Sequence, residues 1–292
     1  MKSLLPLLLT LLTLACHTPT SVRADDSGTE TFTFKTGGHE RSYEVYRPAS
    51  ARGNDKRPLV VALHGGFGTG EIMAEQSRFN AVADRAGFIV AYPDGIARAW
   101  NAGRCCAKPM KEKVDDVGFI KAMITRIAAD YPIDRSQVFG TGFSNGAMMV
   151  HRIACEAPEV FAAIAPVSGG VMLERCDSGR GVPTLMIQGK LDKRIPWDGG
   201  TVEDSYRPSM SALVEMLGKR NGCGAQAKQL QKRGQLACYR QEGCKAALEW
   251  CGLDEVGHQW PGGKTLMARF LGPNTQAFDA SQGIWAFFAA QR

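Results

Sequence analysis

Histidine is scarce in this chain: the 292 residues hold five, at positions 17, 39, 64, 151 and 258. Chemistry that needs an imidazole base therefore has few candidates. None of the nine cysteines forms a C-x-x-C pair, and without that spacing a zinc site is not expected, so neither metal nor cofactor is anticipated. Internal repeats and low-complexity tracts are missing, which excludes repeat architectures. The N-terminal apolar run from Leu4 to Ala15 is too brief to cross a bilayer. Charge is modest, at a formal +6. The one basic cluster, Lys228, Lys232, Arg233, Arg240 and Lys245, reads as solvated surface, so a nucleic-acid partner is not expected.

Lys2 ahead of that short apolar run has the form of a secretory signal, and Val22-Arg23-Ala24 suits cleavage before Asp25. The expected organisation is a signal peptide over 1–24 and one catalytic domain over 25–292, secreted or periplasmic and monomeric. A rival processing site, Thr13-Leu14-Ala15-Cys16, resembles a lipoprotein box in which leucine normally stands where Thr13 does. Membrane association is expected only through a lipid on Cys16. Exported cysteines read as disulfides, and the eight that follow Cys16 allow about a hundred connectivities. Cys105 and Cys106 are adjacent, where a mutual bond would be strained, so separate partners are expected. Cys223, Cys238, Cys244 and Cys251 crowd ahead of His258 and are expected to pin a segment that supports its loop.

Glycine, by contrast, is abundant, and its placement is informative. Val138 to Gly146 reads V-F-G-T-G-F-S-N-G, a short apolar strand running into a serine with a helix pattern behind it. A serine on a sharp strand-to-helix turn needs residues without a bulky Cβ two positions before and after, which Gly142 and Gly146 supply. Ser144 is thus the candidate nucleophile. Hydrolases built on such an elbow carry serine, acid and histidine in that chain order. His17 lies in the leader, His39 in a T-G-G-H turn, and His151 on the same helix as Ser144. His258, in a V-G-H-Q-W-P-G-G loop, is left as the base. Asp177, Asp192, Asp198, Asp204 and Asp254 all lie between serine and histidine, along with several glutamates. Asp192 is preferred because it follows P-T-L-M-I-Q, which reads as a buried parallel strand, and open α/β sheets place their functional groups at that end.

Leu59 to Gly66, L-V-V-A-L-H-G-G, ends a strand in free backbone amides suited to an oxyanion hole. The expected donors are the N–H of Asn145 and that of Gly66 or Phe67, with His64 bracing the loop. Trp100, Trp197 and Trp260 sit on loops near these motifs and are candidate substrate-binding rings, with core plugs as the rival reading. Asn101 is a candidate for orienting substrate, and Asp115 and Asp116 read as helix caps.

Thr31 to Lys35 and Tyr43 to Arg47 alternate around Gly37-Gly38, an expected hairpin at a sheet edge. Apolar strands are expected near 59–64, 88–92, 137–142, 161–167, 184–188 and 246–251. Helix patterns lie between them, the clearest running from Val117 to Tyr131, and two more are expected near 209–220 and 279–289. Strands alternating with helices define an α/β fold, a mostly parallel central sheet with helices on both faces.

These motifs, with A-Y-P-D-G at 91–95, W-N-A-G-R-C-C at 100–106, V-D-D-V-G-F-I at 114–120 and G-H-Q-W-P-G at 257–262, resemble the secreted polyhydroxybutyrate depolymerase and feruloyl esterase family of α/β-hydrolases. The resemblance implies carboxylic ester hydrolysis through an acyl-enzyme, with Ser144, Asp192 and His258 as triad. Hydroxyalkanoate oligomers or related polyesters are the first expected substrate. Feruloyl or acetylxylan esters of plant polysaccharide are the alternative, and a catalytically silent surface or carbohydrate-binding protein is the reading from another class. The loop G-G-F-G-T-G departs from the family's common H-G-C-T-Q, and the chain ends without a polymer-binding module, so soluble oligomers or small esters are expected.

Overall fold

The computed structural model describes residues 20–24, 28–176 and 179–291. Thirteen strands run through them: β1 (Thr20–Ala24), β2 (Thr29–Thr36), β3 (His39–Tyr46), β4 (Arg57–Leu63), β5 (Ile89–Pro93), β6 (Ile133–Phe143), β7 (Ala163–Val167), β8 (Thr184–Gly189), β9 (Gly200–Val202), β10 (Ser205–Arg207), β11 (Ala227–Arg233), β12 (Leu236–Gln241) and β13 (Leu248–Leu253). Eleven form one sheet in the order β1-β2-β3-β5-β4-β6-β7-β8-β13-β12-β11, while β9 and β10 pair separately. The central run from β5 to β13 is parallel throughout. Antiparallel strands flank it at both ends.

Among the described residues eight α-helices accompany the strands, the last two following β13: α1 (Gly70–Ser77), α2 (Phe79–Ala86), α3 (Ala107–Lys111), α4 (Asp116–Asp130), α5 (Asn145–Glu156), α6 (Met210–Asn221), α7 (Ala268–Leu271) and α8 (Ala280–Ala289). Side chains alternate across a strand, and β4 shows what that does here. Leu59, Val61 and Leu63 join a core with Phe119, Ile120 and Met123 of α4 and Met149 and Val150 of α5. Val60 and Ala62 face the opposite core, with Phe79 and Val82 of α2 and Ile284 and Phe288 of α8. Each of these buried side chains except Ala62 contributes about 1.5–3 kcal/mol relative to exposure. A strand covered on both faces has no room for polar alternation, which is why the parallel strands read as unbroken apolar runs.

Thr20–Ala24 pairs antiparallel with β2. The rest of the expected signal peptide, including Cys16 and the Asp25 cleavage point, lies outside the described residues. Four disulfides join Cys105 to Cys106, Cys155 to Cys176, Cys223 to Cys244 and Cys238 to Cys251. The expectation of separate partners for Cys105 and Cys106 is therefore corrected, and the other six cysteines are paired among themselves. Cys238–Cys251 staples β12 to β13, the strand whose end leads into the His258 loop. The hairpin β11–β12 has no counterpart among the expected elements. All of β11, A-K-Q-L-Q-K-R, is exposed, so its composition carries no apolar face.

Candidate functional site

Ser144 sits between β6 and α5 with φ 53° and ψ −117°, a backbone conformation that costs about 1–3 kcal/mol and persists only where its surroundings impose it. They do so through packing. A Cβ on Gly142 would stand 2.6 Å from the carbonyl carbon of Gly146, and one on Gly146 would collide with the carbonyl oxygens of Leu63 and His64. Strand and helix pass this closely because both positions are glycine. The Ser144 N–H donates to the Val167 carbonyl at 3.0 Å, and the Ser144 carbonyl accepts from Met148 N–H at 3.0 Å as α5 begins. The half-buried serine thus stands over the positive end of a twelve-residue helix.

Asp192 and His258 meet across the ends of β8 and β13. His258 Nδ1 lies 2.7 Å from Asp192 Oδ2, with both side chains almost fully enclosed. The other carboxylate oxygen, Oδ1, accepts the backbone N–H groups of Arg194 and Ile195 at 2.8 Å each. Asp192 is thereby held rigidly in place as an acceptor. The two loops are also tied to each other, since Lys190 N–H donates to Leu253 and Leu191 N–H to Val256. His258's own N–H donates to the Leu271 carbonyl at 2.6 Å, fixing this residue against α7. With Nδ1 facing a carboxylate, the proton of a neutral ring sits there and Nε2 is left as acceptor. The imidazole leans on Phe143, ring centroids 4.7 Å apart at 39°, one residue from Ser144.

The loop after β4 closes the third side. A Cβ on Gly65 would stand 3.3 Å from Ser144 Cβ, whereas one on Gly66 would find nothing within 4 Å. Gly66 therefore borders open space beside the serine, and among the described residues no hydrogen bond occupies its N–H. Phe67 is different. Its N–H donates to the Arg98 carbonyl at 2.8 Å, so the alternative oxyanion donor is already engaged and that expectation is corrected. Its side chain is 87% exposed at the loop tip. His64 braces the loop from beneath: Nε2 accepts the Gly95 N–H at 2.9 Å and Nδ1 donates to the Gly65 carbonyl at 2.7 Å. Burial lowers the pKa of this imidazole, which keeps it neutral and able to accept.

The aromatic pocket expected around the site does not form. Trp100 is fully buried, donates Nε1–H to the His64 carbonyl at 2.9 Å and lies 4.9 Å from the His64 ring. Trp260 is equally buried, donates to Ser281 Oγ at 3.0 Å and meets Phe79 edge-on. Both are core plugs: an indole on a loop that folds inward finds an acceptor for its N–H and has no surface left for substrate. Asn101 is structural too. Its Nδ2 donates to Val114 O and its Oδ1 accepts from Gly103 N, so it is not free to orient a ligand. Trp197 is half-buried and faces away from this cluster, toward α6 and β13.

Three supporting roles are not foreseen by sequence reasoning. The Asn145 side chain clasps the backbone of Trp100, accepting its N–H at 2.7 Å and donating to its carbonyl at 3.1 Å, which locks the first turn of α5 to the Trp100 loop. Asp115 caps α4 through Gly118 N–H, as expected. Asp116 does not cap; it is fully buried against Arg41 at 2.8 Å and accepts the Asn101 N–H through its other oxygen. Asp94 holds the start of α1, accepting Gly70 N–H at 2.8 Å. Nothing in local spacing separates such buried carboxylates from surface ones, because their partners lie far away in sequence. Among the described residues, no group of three His, Cys, Asp or Glu could hold a metal, and no helix is long and apolar enough to cross a membrane.

An elbow serine, a loop of backbone amides and a buried acid–base pair on a mostly parallel sheet define an α/β-hydrolase. The family described as Esterase PHB depolymerase matches residues 41–242, and the chain belongs to it. It is a carboxylic ester hydrolase. A protein named "Probable feruloyl esterase C" of Aspergillus niger is 26% identical over 270 residues, covering 88% of each chain. The "Bifunctional acetylxylan esterase/xylanase XynS20E" of Neocallimastix patriciarum is 27% identical over 157 residues, covering 53% of this chain and 22% of that one. In fold, the chain is similar to the acetyl xylan esterase from Aspergillus awamori, with a TM-score of 0.58 at 19% identity over 78% of this chain and 94% of that one.

Proposed function

We propose that the chain cleaves carboxylic esters with Ser144 as nucleophile, His258 as general base and Asp192 as the group that orients and stabilises the imidazolium. The observation that carries this reading is the unbroken series Asp192–His258–Phe143–Ser144, in which a 2.7 Å hydrogen bond and a 4.7 Å ring contact hold the base beside the elbow. His258 Nε2 takes the hydroxyl proton as Ser144 Oγ attacks the carbonyl carbon. The oxyanion is met by the N–H groups of Gly66 and Asn145, each worth about 10²–10³ in rate in comparable sites. His258 then returns the proton to the leaving alcohol, and a water activated by the same imidazole releases the acid.

The substrate class we infer is an esterified saccharide. Support comes from the relative at 88% mutual coverage named a feruloyl esterase and from the acetylxylan esterase that matches over 53% of this chain. A second reading, hydroxyalkanoate oligomers, is favoured by a separate observation. Phe67, Leu191 and Phe270 are exposed by 87%, 51% and 70%, and they stand on the two loops that carry the amides and the acid and on the short helix α7 that supports the base. An apolar rim of this kind suits an apolar ester. Export from the cytoplasm is proposed as well, supported by four disulfides that need an oxidising compartment.

Rates on acetylated xylan, methyl ferulate and a hydroxybutyrate trimer separate the substrate readings. The saccharide reading expects the highest kcat/KM on acetylated xylan or methyl ferulate, and a clear preference for the hydroxybutyrate trimer overturns it. Labelling by a fluorophosphonate probe tests the serine chemistry independently of substrate: a labelled Ser144 peptide is expected, and an unlabelled protein would leave only a silent scaffold.

A further inference from the structure

A second concave surface lies outside the cluster described above. Between α6 and the strands β12 and β13 runs a groove of about 640 Å³, lined by Trp197, Trp250, Ser211, Glu215, Lys219 and Gln241 among others. Its size falls in the range of small-ligand sites. Sheet register explains how its rings come together. Trp250 and Gly252 are two apart on β13 and so point to the same face. The Trp197 ring lies over Gly252, where a Cβ would stand 2.8 Å from its edge, so the strand accepts the indole only because that residue is glycine. On the neighbouring strand, Tyr239 is the direct partner of Trp250, and the two rings stack 5.6 Å apart at 20°. Trp197, Trp250 and Tyr239 therefore form an aromatic strip across β13 and β12, and it starts five residues past Asp192.

The chemistry of the lining narrows the ligand. Glu215 and Lys219 are paired with each other at 2.7 Å, and Lys190, whose ammonium lies 5.5 Å from the Trp197 ring, is paired with Asp254 at 2.7 Å. No uncompensated charge therefore awaits an ionic ligand among these groups. The Ser211 hydroxyl is shared with Ser209 Oγ at 2.9 Å and the Gln241 Nε2 donates to the Gly224 carbonyl at 2.8 Å, so the lining offers indole rings and acceptor oxygens, which suit a neutral ring that is apolar on its faces and hydroxylated at its edge. The groove is also rigid, since Cys223 at the end of α6 is joined to Cys244 ahead of β13. A preformed site binds at a lower ordering cost.

We propose that this groove is a binding site for a neutral saccharide chain, a further part of the polysaccharide that presents its ester to Ser144. This rests on the saccharide-ester reading above, but its test does not depend on turnover. In a Ser144→Ala background, xylohexaose and cellohexaose are titrated calorimetrically against the otherwise unchanged protein, Trp250→Ala and Ser211→Arg, the last filling the groove from an exposed helix position without touching the core. Binding of at least one hexasaccharide is expected, weakened tenfold or more by both substitutions. In the active protein, the same two changes are expected to raise KM on acetylated xylan fivefold or more while kcat/KM on nitrophenyl acetate stays within twofold. Absence of binding by both sugars, or binding that neither substitution weakens, overturns the groove. Failure of the wild-type protein to hydrolyse any saccharide ester would instead overturn the substrate reading, while the calorimetry still judges the groove.

Discussion

His258 rests on Phe143, ring centroids 4.7 Å apart and tilted by 39°, while its Nδ1 faces Asp192 Oδ2 at 2.7 Å. The residue that completes β6 before the elbow is thus the platform on which the His258 ring lies. One face of the imidazole is set by packing against the strand that leads into Ser144, and its tautomer by a carboxylate from the end of another. Few rotations of the ring survive both constraints.

Asp192→Asn tests the second of them. The asparagine keeps an oxygen for the N–H groups of Arg194 and Ile195, so the loop and the fold should persist. It offers His258 an amide donor or a weaker acceptor in place of the carboxylate, which destabilises the imidazolium and disturbs the tautomer. A fall in kcat of about 10³–10⁴ is expected on nitrophenyl acetate, with the thermal midpoint nearly unchanged. A loss below tenfold would assign the acid to another residue.

His64→Phe tests the brace. The ring hydrogen bonds to Gly95 and Gly65 disappear while the volume beside Trp100 stays filled. The Gly66 amide should then lose its aim, lowering kcat by about 10² with little change in KM, because the oxyanion contact matures in the transition state. Titration of reactive serine with the fluorophosphonate probe separates this from a loss of folded protein, which lowers the titrated fraction and leaves kcat per labelled site unchanged.

The two glycine positions around the serine differ in what they tolerate. Gly146→Ala drives a methyl group into the Leu63 carbonyl, which the strand cannot move without breaking β4–β6 pairing. Destabilisation beyond about 3 kcal/mol, or failure to fold, is expected. Gly66→Ala adds its methyl to open space and should stay within about 0.5–1 kcal/mol of the parent. Urea unfolding of both variants checks the contrast.

His151 links stability to pH. It is fully buried on α5, neither ring nitrogen meets full hydrogen-bond geometry among the described residues, and burial together with the Arg220 cation pushes its pKa down to about 3, against a weaker opposing pull from the nearby Gly169 backbone. In the unfolded chain an imidazole takes its proton near pH 6.5. Between about pH 3 and 6.5 the unfolded state therefore binds more protons, so this residue lowers stability as pH falls through that window and has no effect above it. His151→Leu should remove up to ~1.4 kcal/mol per pH unit from the slope of stability between pH 4 and 6 and be close to neutral at pH 8. Identical slopes for parent and variant would contradict the neutral buried ring.

Much of the fold and of the site is legible in the amino-acid sequence. The order serine, acid, histidine points to one base because so few histidines exist, and the parallel strands stand out as unbroken apolar runs because both their faces are covered. Trp100 and Trp260 are harder, since loop-like neighbours in sequence say nothing about whether the loop folds inward. Phe67 N–H is equally hidden: its acceptor, the Arg98 carbonyl, comes from the loop after β5, thirty-one residues away. The edge hairpin β11–β12 carries polar residues on an exposed strand, which leaves no period to read. The aromatic strip of Trp197, Trp250 and Tyr239 depends on strand register, which sequence spacing alone does not disclose.

The most direct test of the account is to catch the acyl group. Peptide mass spectrometry on protein mixed with nitrophenyl butyrate and quenched within one turnover should find one butyryl group on the peptide containing Ser144, weak in Asp192→Asn and absent in Ser144→Ala. Ester hydrolysis that continues in Ser144→Ala, or a butyryl group carried on any other residue at the same rate, would contradict it.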